Sequence, residues 1–423
     1  MTITTPLLDF DFNSIKESVS WNNPSKKELR MHQIHVYPAK FPSFLVQKTI
    51  NHIEKKKSTP IETVGDIFCG CGTTALEARL NQKKFWGCDI NPVATLISKT
   101  KRDKYNQKIL ENYLDNILVD FENTRTLPDG ISNHERLNYW FDSVQIIDLY
   151  TLIDSIKKNV PEGKYQDFFL VGFSNILKKT SRWLMKSIKP TIDSKKVAQH
   201  VIPSFKKQIK SMIKAVEEAA NKIDDCVESK IENKNFLSIK HKEPFLDLLI
   251  TSPPYVTSYE YADLHQLSTL WLGFVTDYRD LRNGTIGSIY RTTIKNEEKK
   301  SLNEVGLNIY NDLLKTGAKN KTSVLKYFLD MKETVNKSYE LIKDGGFATY
   351  VIGNTKFKGV YINNAKYLAQ CLLDTGFENP EILKRKISSK NLTPYRDSNG
   401  KFSSDKRHRK VYSYEFIIIA RKP

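Results

Sequence analysis

Residues 63–90 limit the fold of this chain more tightly than any other stretch. Thr63-Val64-Gly65-Asp66-Ile67-Phe68 is an apolar run of strand length that passes straight into Cys69-Gly70-Cys71-Gly72. Thr74-Ala75-Leu76-Glu77-Ala78-Arg79-Leu80 follows as a helix, and Lys84-Phe85-Trp86-Gly87-Cys88-Asp89-Ile90 as a second strand ending on an acid. Strand, tight turn, helix and strand in that order open a doubly wound parallel sheet. The expected fold is therefore α/β and Rossmann-like.

The rest of the chain fits around that start. Residues 1–30 are polar and are expected to form a loosely packed arm. Residues 44–53 have helical periodicity behind Pro42. Residues 104–228 show i, i+3, i+4 apolar spacing without strand signals, and an unstructured loop of that length is rare. They read as a large helical insertion between a first part of the main domain, 31–103, and a second, 229–423. In the second part a strand is expected near 235–239, and Phe245-Leu246-Asp247-Leu248-Leu249-Ile250 is an apolar strand. A polar stretch, 277–322, carries Arg279, Arg282 and Arg291. A long helix over 324–342 should stop at Lys343-Asp344-Gly345-Gly346. Another strand (347–353), a helix (365–375) and a final strand pair (382–388 and 411–420) complete the pattern.

A ligand belongs at the carboxyl end of the first strand. Gly70 and Gly72 let backbone approach it closely, and the next helix offers free N–H groups. Asp89, about 20 residues on, stands where a carboxylate accepts from the hydroxyls of a ribose. Taken alone, the turn is also compatible with a plain strand-to-helix corner capped by Asp89. It lacks the third glycine of the dinucleotide fingerprint and the Gly-Lys-Ser/Thr of a phosphate loop, which leaves an adenosyl ligand without phosphates.

The strand 245–250 feeds directly into Thr251-Ser252-Pro253-Pro254-Tyr255. Consecutive prolines have fixed φ and no N–H, so Ser252-Pro253-Pro254 forms a rigid extended turn outside the ladder. Its carbonyls make a row of acceptors suited to the two N–H bonds of an exocyclic base amine, and Tyr255 offers a flat face for a base.

These segments resemble those of the amino-methylating DNA methyltransferases, in particular the N4-cytosine type of restriction–modification systems. Residues 66–74 resemble the family's cofactor motif, and Asp89-Ile90-Asn91-Pro92 its ribose-binding strand end. His35-Val36-Tyr37-Pro38-Ala39-Lys40-Phe41-Pro42 resembles the segment that packs beside the cofactor. Thr251-Ser252-Pro253-Pro254-Tyr255 resembles the catalytic motif, where Ser in the first motif position favours cytosine over adenine. The resemblance implies S-adenosylmethionine as cofactor. It would be held by Tyr37, Lys40, Phe41, Asp66, Phe68, Gly70, Gly72, Thr73, Thr74, Asp89, Ile90 and Asn91, with Ser252, Pro253, Pro254 and Tyr255 catalytic. It also implies double-stranded DNA as substrate and a cognate restriction endonuclease acting on the same site. Adenine N6, an RNA base amine and an inactive DNA-binding module are the competing readings. Attack through cytosine C5 needs a thiolate, and no Pro-Cys pair occurs in the chain.

The charge balance agrees with a polyanionic partner: 66 Lys and Arg against 48 Asp and Glu give a formal net charge of +18 over 423 residues. A solvated basic surface would give the same total. Candidate phosphate contacts are Lys206 and Lys210, with Lys207 and Lys214 on the same helix, and Arg407 and Arg409 in the basic loop before the last strand. Arg279, Arg282 and Arg291 are candidates for reading guanine edges. The target amine would have to be flipped out of the duplex. Five cysteines without paired spacing read as reduced thiols, with no metal site expected. No apolar run approaches a membrane span and no signal peptide opens the chain, so a cytoplasmic protein is expected.

Overall fold

The computed structural model describes residues 10–22, 27–57, 60–124, 134–187, 189–241, 243–256, 259–291, 294, 301–317, 319–387, 395–396, 402–403, 405–407, 409–410 and 413–423. In chain order, α1 (Ser43–Glu54) leads to β1 (Thr63–Asp66), α2 (Thr73–Leu80), β2 (Lys84–Asp89) and α3 (Pro92–Arg102). Five helices follow: α4 (Gln107–Asn123), α5 (Glu135–Trp140), α6 (Ser143–Asn159), α7 (Lys164–Ile176) and α8 (Val201–Ala219). The sheet then resumes with β3 (Ser229–Asn233) and β4 (Leu246–Thr251). After them come α9 (Tyr261–Leu264), α10 (Gln266–Trp271), α11 (Glu304–Lys315), α12 (Lys321–Leu341) and β5 (Ile342–Ile352). A hairpin of β6 (Thr355–Phe357) and β7 (Val360–Ile362) precedes α13 (Asn364–Thr375) and β8 (Glu378–Lys386). The short strands β9 (Tyr395–Arg396), β10 (Phe402–Ser403) and β11 (Arg409–Lys410) form a small sheet before β12 (Tyr414–Arg421).

The main sheet has the order β3-β2-β1-β4-β5-β12-β8. Neighbours from β3 to β5 pair parallel, and β12 is antiparallel to both β5 and β8. The chain winds outward from β1 in one direction and from β4 in the other. The crevice at the carboxyl ends of β1 and β4 is therefore the switch point at which such sheets bind ligands. That topology brings residues 67–72 beside residues 252–255, which are 180 positions away in sequence.

β4 is buried along its whole length, as an apolar strand covered on both faces must be. One face packs on α12 and α13 through Val324, Leu325, Phe328 and Leu368, the other on α1 through Leu45, Val46 and Ile50. The helices α4–α8 do not stand apart. Their aromatic core (Trp140, Phe168, Phe173, Phe205) is continuous with Val93 and Ile97 of α3 and with Trp271 of α10.

Three expectations change. The strand expected near 235–239 is β3, six residues earlier, and Phe236–Ser238 is a single 3-10 turn. Alternating polar residues in Ser-Lys-Ile-Glu-Asn hid an edge strand, which needs only one apolar side chain inside. The long helix ends at Leu341 rather than at the glycine pair, and β5 begins at once; Gly345, at φ 73°, takes up the register shift opposite Leu246–Leu248. Finally, the described part of the N-terminal arm is docked. Phe12 packs edge-on against Phe416, the Ser18 N–H donates to the Lys384 carbonyl of the edge strand β8, and Trp21 lies against His52. An open strand edge and an apolar surface beside it are what that segment covers.

Candidate active site

The Gly-rich turn is shaped by its two glycines. Gly70 and Gly72 have φ of 48° and 78°, and a β-carbon on Gly72 would run into Ser98 of α3. Gly72 caps α2, so the turn delivers the chain directly into the helix. Asp66 ties three elements together. Its Oδ2 accepts from the Thr74 hydroxyl at 2.7 Å, its Oδ1 from the Thr251 hydroxyl at 2.7 Å and from the Phe68 N–H at 3.1 Å. Burial pushes its carboxyl up to about 6 despite those donors.

Asp89 closes the other side of the turn. Its Oδ2 accepts from the Gly70 N–H at 2.9 Å and its Oδ1 from the Asn91 N–H at 2.8 Å. Each oxygen keeps a second lone pair for a ligand. Its carboxyl too is pushed up to about 6 by burial. The Asn233 amide holds the end of β2 in place by donating to the Asp89 and Ile90 carbonyls at 2.9 and 3.1 Å.

One cleft of about 1020 Å³, counted out to its open mouth, collects these groups. Of the residues singled out in the sequence, Tyr37, Lys40, Phe41, Asp66, Phe68, Gly70, Thr73, Asp89, Ile90, Asn91, Ser252 and Pro254 line it. Gly72 and Thr74 stand behind the turn and set its shape, while Pro253 and Tyr255 are not among the lining residues. Lys40 reaches the wall, but its ammonium is paired with Glu28 at 2.6 Å. Tyr37 stacks on His265 at 5.0 Å between ring centroids, and burial holds that histidine down to about 4, hence neutral.

The cleft also contains residues that the sequence reading missed. Lys234, Asn235 and Phe236 follow β3, Tyr261 and Ala262 belong to α9, and Leu281 with residues 284–286 comes from the polar stretch after the catalytic segment. The first group could have been found, because every parallel strand of such a sheet ends on the ligand side. The last could not. Gly284 reaches the wall only because it lacks a side chain: a β-carbon there would stand 2.9 Å from Asn235 Nδ2 and 3.1 Å from Ile90 Cδ1.

The proline turn sits at the edge of the cleft. The Ser252 hydroxyl donates to the Val351 carbonyl at 3.0 Å, which locks the turn to β5. The Tyr255 ring lies across Gly353, where a β-carbon would come within 2.9 Å of Cε2, and its hydroxyl is 3.5 Å from Glu415 Oε2. Glu415 is in turn paired with the buried Arg385.

Residues 9–100 match the family model described as DNA methylase of the N6/N4 type. Over 96% of its length, and 94% of the other protein's, the chain is 22% identical to the Type II methyltransferase M.MvaI of Kocuria varians. The chain is thus similar to the amino-methylating DNA methyltransferases. Solved structures give a distant likeness. A SAM-dependent methyltransferase from Methanosarcina mazei aligns at TM-score 0.31 and 9% identity, over 92% of this chain and 98% of that one. The rRNA methyltransferase aviRa from Streptomyces viridochromogenes aligns at TM-score 0.28 and 8% identity, over 81% and 92%.

That likeness implies S-adenosylmethionine as the methyl donor, and the cleft fits it. The Thr73 hydroxyl and the Asn91 amide nitrogen are buried with no partner among the described residues, so the wall has polar groups to offer a ligand. Asp89 supplies a carboxylate, while Ile67, Phe68, Ile90 and Phe236 supply apolar wall for a flat base. Among the described residues no cluster of His, Cys, Asp and Glu could hold a metal ion, and Cys69 and Cys71 line the cleft as thiols.

The basic residues singled out for DNA are placed as follows. Lys206 and Lys210, with Lys207 and Lys214, rim a shallow groove on the outer face of α8. Arg407 pairs with Asp405, and Arg409 lies on β11. Each of the three loop arginines that are candidates for reading guanine edges is paired with a carboxylate. Arg279 takes Asp277 (Nε to Oδ2, 2.8 Å), Arg282 takes Asp263 (2.6 Å), and Arg291 takes Asp330 of α12. Asp277 is a near neighbour of Arg279 in the chain, whereas the partners of Arg282 and Arg291 come close only in the fold.

Proposed function

We propose that this methyltransferase transfers a methyl group from S-adenosylmethionine to the exocyclic N4 amine of cytosine in double-stranded DNA. Its place would be in the cytoplasm, as the modification enzyme of a type II system whose endonuclease cuts the same site. The observation that carries the reading is that Ser252 and Pro254 share one cleft with Asp89 and Gly70. A motif suited to a base amine and a turn suited to an adenosyl ligand thus open on the same space.

Bound there, the donor supplies a methyl group on a positively charged sulfur. The chain's own residues hold and orient. Asp89 would accept from the ribose hydroxyls, and Gly70 lets the backbone lie close. The rigid carbonyls of Ser252 and Pro253 would accept the two N–H bonds of the amine and so fix the direction of its lone pair. Tyr255 would supply an aromatic face once the base is flipped. Positioning of two reactants, rather than acid–base work, provides the rate gain. The fit to a type II modification enzyme is supported by the relative from Kocuria varians, a type II methyltransferase matched along nearly its whole length.

The test is to express the chain in a methylation-free host, digest the DNA to nucleosides and measure the products by mass spectrometry. N4-methylcytosine is expected. N6-methyladenine would move the target to adenine, and unmodified DNA beside modified RNA would overturn the substrate class. Sequencing the modified DNA gives the site.

A further inference from the structure

The residues beside the cleft mouth form a ladder of alternating aromatic rings and guanidinium groups. Arg136 of α5 lies 4.7 Å from the ring centre of Tyr139 and 5.4 Å from that of Tyr278. Arg282 continues the series, 5.7 Å from Tyr278 and 3.9 Å from Tyr290. The order Tyr139, Arg136, Tyr278, Arg282, Tyr290 joins the helical insertion to the loop after the catalytic segment. Its two end rings face solvent, Tyr139 being 46% and Tyr290 53% exposed. The ladder adjoins the cleft at two points. Leu281, next to Arg282, lines the wall, and Asp263, which holds Arg282, follows the lining residue Ala262.

The two arginines differ in what their edges meet. Asp263 occupies Nε and one terminal nitrogen of Arg282 at 3.1 and 2.6 Å. Among the described residues Arg136 donates only its Nε, to Gln266 Oε1 at 2.7 Å, and no carboxylate pairs with it. Gln266 Oε1 also accepts from the Trp140 indole at 3.0 Å, so the anchor is itself anchored. A guanidinium stacked between rings keeps its N–H groups in plane at the edge. Arg136 is thus held in orientation by its rings and by Gln266, and its terminal nitrogens make no hydrogen bond among the described residues.

We propose that this ladder is the surface on which duplex DNA is read, and that Arg136 hydrogen-bonds the major-groove edge of a guanine beside the flipped base. A planar, oriented fork is the group that matches guanine O6 and N7. The exposed rings flank it as stacking surfaces, and Arg282, fixed by Asp263, sets the spacing. The recognition surface is then shared between insertion and loop, with neither sufficient alone.

The inference rests on the DNA-methylation reading, and the two fail differently: no methylated DNA at all defeats that reading first. Given a mapped site, the experiment uses the full-length protein, a short duplex carrying the site, and a second duplex with each site guanine changed in turn. For Arg136→Gln, discrimination at one guanine should fall by roughly tenfold, with S-adenosylmethionine affinity and melting temperature unchanged. Arg136→Lys, which keeps the charge and loses the fork, should lose the same discrimination. Tyr139→Ala should weaken it in part. Retained discrimination in Arg136→Gln would overturn the proposal. So would equal weakening on every duplex, the mark of a phosphate contact, or rescue by Lys. Tighter binding to the same sequence as RNA would overturn the duplex-DNA assignment.

Discussion

Asp89 and Tyr255 show how single side chains shape the site. Burial raises the Asp89 carboxyl to about 6, so it is protonated under mildly acidic conditions and ionised above them. Only the ionised form accepts from both ribose hydroxyls. Affinity for S-adenosylmethionine should therefore rise as pH passes from about 5 to about 7 and then level off, whereas Asp89→Asn should bind more weakly and without that slope. Calorimetric titration across the range checks this; a parallel slope in the variant would remove Asp89 from the effect. The same raised value has the opposite sign for folding in the absence of ligand. Its contribution to stability is complete below the ordinary aspartate range and is lost as pH rises through about 6. Tyr255 makes the complementary case. It is not among the residues lining the donor cleft, so Tyr255→Ala should abolish methyl transfer while leaving donor affinity within a few-fold. Single-turnover assays with parallel binding measurements separate the two, and full activity would defeat the assignment of Tyr255 to the base.

Element by element, most of the molecule could be read locally. The runs that became β1, β2, β4 and β12 carry their own apolar signal, and Gly70, Gly72 and Gly376 stand at conformations that their positions require. What local pattern could not show is pairing. β3 has a single buried residue, Ile231, and takes its strand form from lying beside β2. The arm became ordered because β8 offers an edge and Phe416 a surface. Phe12 is only 1% exposed, so Phe12→Ala should cost about 3–5 kcal/mol of stability, as for other large-to-small core changes. Urea unfolding measures it. A loss within about 0.5 kcal/mol would mean the arm is dispensable to the core, as a surface change would be.

For the whole molecule, charge and topology decide different things. A net charge of +18 requires that affinity for DNA be strongly salt-dependent if the basic surface meets phosphates. With about six phosphate contacts, affinity should fall roughly a thousandfold between about 50 and about 200 mM salt. Fluorescence anisotropy across that range tests it, and a flat response would remove charge from the argument for a nucleic-acid partner. The sequence by itself determined the doubly wound sheet, the resemblance to the amino-methylating methyltransferases and both halves of the cleft, because each is written in a contiguous run: residues 66–74, Asp89 with its neighbours, and residues 251–255. Only the tertiary structure decided that these halves face one another, since the switch between β1 and β4 is a property of strand order. Tertiary structure also decided which arginines are already paired, and that Arg136, Tyr278 and Tyr290 line up. Ion pairs and stacks depend on distance in space, and Arg136 with Tyr278, or Arg291 with Asp330, stand too far apart along the chain to give a local sign of them.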